Sequence, residues 1–280
     1  MKKVLYVVDD INYNSGAKAV TLLQMNRLRD DYDIYLLSLA KPKEKISFLD
    51  EQHILDKRIW QITEIYAESF RTALRSSRYS VRQKLSRIFY AFSLRIGLGS
   101  KYFESLIKTE LKPELEKFDV VIVVSEASKL REIVSELEHP KKIQWIHTDY
   151  AHWSEFSEWS KAVTRNDRSI YEKYDEIVVL SEFCKNGLLK KLPSTAEKVS
   201  VIPNLVDGNK ILKLASVSGP VPIDGDYLKL VTVARIDHEK RIERVLDIAL
   251  ELKRRNIEFK WYVIGDGPER EALEEKNQQA

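Results

Sequence analysis

Arg235 and Lys240 have the chemistry and the spacing to grip a doubly charged anion. In Leu230-Val-Thr-Val-Ala-Arg-Ile-Asp-His-Glu-Lys240 an apolar run of strand type ends at the arginine, and the lysine follows where a helical pattern opens. Ligands of open α/β sheets collect at the carboxyl ends of strands. Two cations there suit a diphosphate, because guanidinium offers a fixed fork of donors and ammonium a mobile point charge. The next apolar run, Phe259–Ile264, ends in Gly265-Asp266-Gly267-Pro268. Glycines at that place let backbone approach a ligand, and Pro268 suits the first turn of a following helix.

The first half of the chain carries further candidates. Ser15 and Gly16, in Asn14-Ser15-Gly16-Ala17, stand between the first apolar run and a helical pattern. Backbone N–H groups at such a helix start can meet a phosphate or a sugar hydroxyl; the plainer reading is a turn glycine. His147 follows the run that ends at Ile146, and the plainer reading there is a structural or surface histidine. Tyr150, His152, Trp153, Phe156 and Trp159 read as a polar loop whose rings either stack on a sugar or cap a hydrophobic edge. Ser181 reads as a helix N-cap and not as a nucleophile. No Gly-x-Ser-x-Gly elbow, His-Glu-x-x-His pair or phosphate-binding loop of the Walker type occurs. The pairs Asp31-Tyr-Asp33 and Asp224-Gly-Asp226 precede strands instead of ending them, so both read as solvated loop charges and no metal is expected. Asp9-Asp10 reads as a strand-end turn.

The elements that must position these residues follow from the apolar periodicity. Val4–Val8, Ile34–Leu39, Val120–Val124, Lys142–Ile146, Ile177–Leu180 and Val199–Ile202 are runs of strand length, rich in Val and Ile. Continuous runs imply strands buried on both faces, and so a parallel sheet covered by helices. Helical patterns at Ala17–Leu28 and Ser128–Leu137 supply crossovers. A span poor in large apolar residues, Ser216–Asp226, is followed by a second βαβ series: strand Leu228–Val233, helix Arg241–Arg255, strand Phe259–Ile264 and a helix from Glu269. The expected organisation is an N-terminal domain over residues 1–207, a linker over 208–225 and a partial second domain over 226–280.

Composition bounds the function classes. With 44% hydrophobic and 32% charged residues among 280, the chain is expected to pack as a globular protein. One cysteine, Cys184, excludes an internal disulfide or a cysteine-rich zinc module and fits a reducing compartment. A net charge of +3 does not point to nucleic acid. The sequence shows no signal-peptide pattern and no apolar run of membrane-spanning length, so a cytoplasmic protein is expected. The charge is unevenly spread: residues 69–103 contain eight Lys or Arg and no Asp or Glu. Arg71, Arg75, Arg78 and Arg82 recur at helical spacing, as do Val81, Leu85, Ile88, Phe89, Phe92 and Ile96. Such a basic amphipathic helix, spanning Arg71–Arg95, is expected to rest on an anionic membrane surface, the inner face of the plasma membrane; the alternative is a solvated face packed on the domain by its apolar stripe.

The order strand, Arg235, Glu239-Lys240, helix, strand, Gly265-Asp266-Gly267-Pro268 resembles the second domain of family 4 glycosyltransferases, retaining enzymes of the GT-B fold. Ala234 and Arg241 stand where that pattern has glycine, and Leu205 replaces a glycine in Val201–Asp207, the segment that resembles the entry to the interdomain crossover. The resemblance implies an α/β protein of GT-B type with a complete doubly wound N-terminal domain on the acceptor side and a partial Rossmann-like domain on the donor side. It implies a nucleoside-diphosphate sugar as donor, a glycan or lipid-linked acceptor, no cofactor and no metal. Arg235 and Lys240 would hold the diphosphate and stabilise its departing charge. Gly265, Gly267 and Pro268 would line the nucleotide pocket, Ser15 and Gly16 would meet phosphate or sugar, and His147 would stand beside the donor sugar and the reacting bond. The family also carries Glu-x7-Glu further along its second domain, and nothing after Gly267 matches it. A doubly wound half has about five or six strands, against two from residue 226 onward, so the chain reads as truncated inside its second domain. Sugar transfer in cell-surface polysaccharide or glycolipid synthesis is the function implied. The alternative is a non-catalytic fragment that binds an acceptor or partner.

Overall fold

The computed structural model describes residues 1–13, 15–55, 69–95, 98–128, 130–217 and 225–279. Asn14, Ile96, Asp224, the Lys101 side chain and the central part of the expected linker lie outside the described residues. The chain divides into two compact units, Met1–Ile211 and Leu212–Ala280.

Unit 1 is built on β1 (Lys3–Val8), β2 (Asp33–Ser38), β3 (Ile54–Leu55), β4 (Val120–Val123), β5 (Lys141–Ile146), β6 (Glu176–Val179) and β7 (Val199–Val201). All pairs are parallel, in the order β3-β2-β1-β4-β5-β6-β7. The continuous apolar runs have a direct cause. Successive side chains of a strand point to opposite faces, and here both faces are covered. Leu5, Val7, Leu37, Val121, Val123, Ile146, Ile177 and Val179 join one core, while Val4, Tyr6, Ile34, Leu36, Ile122, Trp145 and Val178 join the other. Each such buried side chain contributes about 1.5–3 kcal/mol.

Helices α1 (Gly16–Leu28), α2 (Phe70–Arg75), α3 (Val81–Arg95), α4 (Gly99–Leu115), α5 (Leu130–Ser135), α6 (Tyr150–Trp153), α7 (Glu158–Thr164), α8 (Asp167–Tyr171) and α9 (Glu182–Lys191) complete the described part of this layer, and α10 (Gly208–Ala215) runs across the boundary at residues 211 and 212. Ser181 caps α9, its hydroxyl accepting from the Cys184 N–H at 3.2 Å.

Four expectations change. The span read as a polar aromatic loop is helical over α6 and α7, and Tyr150 is buried because its hydroxyl donates to the buried Asp167 at 2.7 Å. Arg71, Arg75, Arg78 and Arg82 do not share one helical stripe, since α2 ends at Arg75 and α3 begins at Val81. Asp33 is not a solvated loop charge: it opens β2, and its carboxylate contacts His53 Nε2 at 3.1 Å and accepts from the Tyr35 hydroxyl at 3.0 Å. The span expected to be linker begins as the helix α10.

Unit 2 is a parallel pair, β8 (Leu228–Val233) and β9 (Phe259–Ile264), joined by α11 (Glu243–Arg254) and followed by α12 (Arg270–Gln279). Of its described apolar residues, Ile236 and Ile242 are buried, whereas Val231, Val233 and Ile264 are exposed.

Candidate functional site

In unit 1 the strand order reverses between β1 and β4, the place where open parallel sheets hold ligands outside the carboxyl ends of their strands. The segments that leave these ends carry the candidates. After β1, the chain turns and enters α1 at Ser15 and Gly16. Ser15 caps the helix, accepting from the Lys18 N–H at 3.1 Å. A Cβ placed on Gly16 would meet nothing within 4 Å. No packing demand explains the glycine, and its bare position leaves the first N–H groups of a 13-residue helix approachable.

After β5 comes His147. Its backbone N–H donates to the Glu126 carboxylate, Oε2, at 3.3 Å, and its ring lies over Trp145 at 6.4 Å and 18°. Glu126 follows β4 and is itself buried. Both ring nitrogens of His147, Trp145 Nε1 and Thr148 Oγ1 are buried without a partner among the described atoms. Burial holds the His147 imidazole below its ordinary range, with the Glu126 charge pulling in the opposite direction. His147 is therefore neutral at pH 7, with one ring nitrogen to donate and one to accept.

Behind this edge runs a buried ionic scaffold. The Arg131 guanidinium donates to Asp167 Oδ1 through Nε at 3.1 Å and Nη2 at 2.6 Å, to the Ser128 carbonyl at 2.9 Å, and to the Val163 carbonyl. Tyr150 closes the other Asp167 oxygen, and the Ser128 hydroxyl donates to Asp9 Oδ1 at 2.6 Å. The turn after β1, the start of α5 and the connection from β5 to β6 are thereby held together. Sequence reading missed Glu126, Arg131 and Asp167. Glu126 carried a usable signal, a charge just past the end of a buried strand, the same signal that picked out Arg235. The Arg131–Asp167 pair joins residues 36 apart in sequence and had none.

In unit 2, Arg235 leaves the end of β8 half-exposed. Its Nη1 meets Asp237 Oδ2 and its Nη2 meets Glu239 Oε2, each at 3.1 Å. Those carboxylates orient the fork, and an incoming phosphate must displace or share them. Lys240 lies in the turn before α11 with its side chain exposed, and its backbone N–H donates to the Asp237 carbonyl at 3.0 Å. Arg241 has φ 49°, in the left-handed region that favours glycine, so the residue after Lys240 departs from the family pattern at a position whose backbone still asks for glycine.

Gly265 and Gly267 have a packing role. A Cβ on Gly265 would stand 1.8 Å from the Ala234 carbonyl oxygen, and one on Gly267 would stand 2.1 Å from that of Ile236. The loop after β9 lies against the backbone leaving β8, with Ile236 N–H donating to the Asp266 carbonyl at 2.9 Å and Glu269 N–H to the Ile236 carbonyl at 3.2 Å. The bare faces of these glycines meet the chain itself, and the contact sets the loop beside Arg235. Pro268 is exposed in the turn that precedes α12. A groove among α11, α12 and β9, lined by Leu246, Ala249, Trp261, Leu273 and Gly265, includes neither Arg235 nor Lys240.

The predicted residues thus form two sets: Ser15, Gly16 and His147 at the carboxyl edge of unit 1, and Arg235, Lys240, Gly265, Gly267 and Pro268 at the strand ends of unit 2.

The sequence profile described as Glycosyltransferase Family 4 matches residues 59–210, over half of the chain. That span lies in unit 1, away from the Arg235 and Gly265–Pro268 segments. No curated protein matches the sequence. Among solved structures, S. aureus TarM, as a variant with fondaparinux, α-GlcNAc-glycerol and UDP, aligns with TM-score 0.59 at 10% identity, covering 100% of this chain and 75% of TarM. An E. coli trehalose-6-phosphate structure with UDP-2-fluoro-glucose bound aligns at 0.54 and 15%, covering 99% and 68%. The α,α-trehalose-phosphate synthase (UDP-forming) of Burkholderia vietnamiensis aligns at 0.52 and 13%, covering 100% and 69%. These likenesses show the GT-B fold.

Proposed function

The chain belongs to glycosyltransferase family 4, and we propose that it moves a sugar from a nucleoside-diphosphate sugar to an acceptor hydroxyl with retention at the anomeric carbon, in the synthesis of a cell-surface polysaccharide or glycolipid. The observation that carries the donor class is Arg235 just past the carboxyl end of β8, beside the loop that follows β9, with Lys240 five residues on in the turn before α11. The UDP and UDP-2-fluoro-glucose held by two structural neighbours support the same class.

As the anomeric C–O bond breaks, negative charge grows on the leaving phosphate oxygen. A guanidinium fork and an ammonium group fixed there stabilise that charge more in the transition state than in the ground state. The departing phosphate takes the proton of the acceptor hydroxyl, so bond breaking and bond making share one face of the sugar and no protein nucleophile is required. His147, kept neutral by burial, suits a hydrogen bond to a sugar hydroxyl, and the open N-terminus of α1 at Ser15 and Gly16 suits a phosphate or hydroxyl oxygen. The reading calls on no metal.

Calorimetric titration with UDP, GDP and ADP, followed by a donor screen that measures released nucleoside diphosphate, tests it. Arg235→Ala and Lys240→Ala are each expected to weaken diphosphate binding at least tenfold and to lower turnover about 100- to 1,000-fold. Unchanged binding and turnover in both variants would refute the assignment. Binding that depends on Arg235 without any turnover would identify a binding module.

A further inference from the structure

Helix α3 is inside out. Val81, Leu85, Ile88, Phe89 and Phe92 share one face by their spacing, and that face is open to solvent: Val81 is 76% exposed, Leu85 51%, Phe89 61% and Phe92 60%. The face turned inward is the polar one. Arg87 and Ser93 are buried, the Arg87 guanidinium lies over the rings of Phe70 (5.7 Å) and Tyr90 (5.5 Å), and the Ser86 hydroxyl bonds the Tyr102 hydroxyl of α4 at 3.0 Å. A surface helix of a globular protein normally turns its apolar stripe to the core. The alternative raised by the sequence, a stripe packed on the domain, is therefore not what the fold does. A contiguous apolar patch of this kind marks a contact surface.

Charge identifies what covers it. Exposed Arg82 and Arg95 and half-buried Lys84 edge the stripe, and exposed Arg71, Arg75 and Arg78 stand on α2 and the loop that leads into α3. Arg82 also pairs with Glu110 at 3.2 Å. A second copy docked face to face would set cations against cations. A bilayer with anionic headgroups answers both parts of the surface, since acyl chains take the Phe and Leu side chains while phosphates take the cations. Fifteen residues of helix reach about 22 Å, too short to span and well suited to lie in the interface. Among the described residues no helix is long and apolar enough to cross a membrane.

We propose that α3 is an interfacial membrane anchor that inserts Leu85, Ile88, Phe89 and Phe92 into the headgroup–acyl boundary of an anionic bilayer. The proposal stands independently of the donor chemistry.

Sedimentation of the 280-residue chain with vesicles tests it, using phosphatidylcholine alone and phosphatidylcholine mixed with phosphatidylglycerol, at low and high salt. Binding is expected to the mixed vesicles only and to fall with salt. The triple variant Ile88→Ser/Phe89→Ser/Phe92→Ser alters exposed side chains and should keep its circular dichroism while losing at least tenfold in partitioning. Lys84→Gln and Arg95→Gln should each cost about fivefold. Absence of vesicle binding, equal binding to neutral vesicles, or binding indifferent to these variants would overturn the proposal. So would a dimer in sedimentation velocity that the triple variant dissociates, since the face would then belong to a second copy.

Discussion

Gly265→Ala should loosen unit 2 without touching any charged group. The added Cβ would stand 1.8 Å from the Ala234 carbonyl oxygen, so the two backbones must part by about 1.6–2 Å to reach ordinary van der Waals contact. That movement carries three hydrogen bonds out of range: Ala234 N–H to the Ile264 carbonyl (3.1 Å), Ile236 N–H to that of Asp266 (2.9 Å) and Glu269 N–H to that of Ile236 (3.2 Å). At about 1 kcal/mol each, plus about 1 kcal/mol or more of residual crowding, the loss is about 3–5 kcal/mol. Such a loss is a large share of the stability of an ordinary domain. The assay is amide hydrogen exchange read on peptides covering 228–233 and 259–264, with unit 1 peptides as the internal reference. Faster exchange confined to unit 2 is expected. Wild-type protection in both β8 and β9 would refute the reasoning, because it would mean that the loop does not need the bare glycine to reach the neighbouring backbone. Gly16→Ala is the counterpart, since its Cβ meets open space. It should leave stability unchanged or raise it by up to about 1 kcal/mol, and a clear loss of stability would contradict the open space seen around that position.

Two further outcomes follow from unit 1. Arg131→Met leaves the Asp167 carboxylate buried without its cation and should cost about 3–5 kcal/mol in urea unfolding, with Arg131→Met/Asp167→Leu recovering much of the loss; a double variant as unstable as the single one would contradict this. Because burial depresses the His147 imidazole, the unfolded chain binds that proton more readily than the folded one. Its contribution to stability is therefore complete above about pH 6.5 and is lost as pH falls from there toward the depressed folded value. Urea midpoints of wild type should consequently drop faster than those of His147→Gln across that window, and parallel profiles would exclude the effect.

What the residues determined alone was local. A run such as Val120–Val123 must be a strand covered on both faces, because alternate side chains have to leave water in opposite directions and every one of them is apolar. Arg235 and Lys240 stood out as a candidate anion grip because strand end and helix start are themselves local signals. The doubly wound parallel layer followed from the order of such runs, while the GT-B type came from the resemblance carried by Arg235, Lys240 and Gly265–Pro268. Tertiary structure decided which partner each face met. The period of α3 defines an apolar stripe and a polar stripe, and nothing in the period says which turns inward; Arg87 enclosed by Phe70 and Tyr90 settles it. Tyr150 is core and not loop because its hydroxyl donates to Asp167, distant in sequence and itself held by Arg131. The glycines of the loop after β9 looked like access for a ligand, and the fold fills their bare faces with the backbone of residues 234–236. Spacing along the chain determines which side chains share a face. Only contacts between residues far apart in sequence determine whether that face meets core, solvent or another surface.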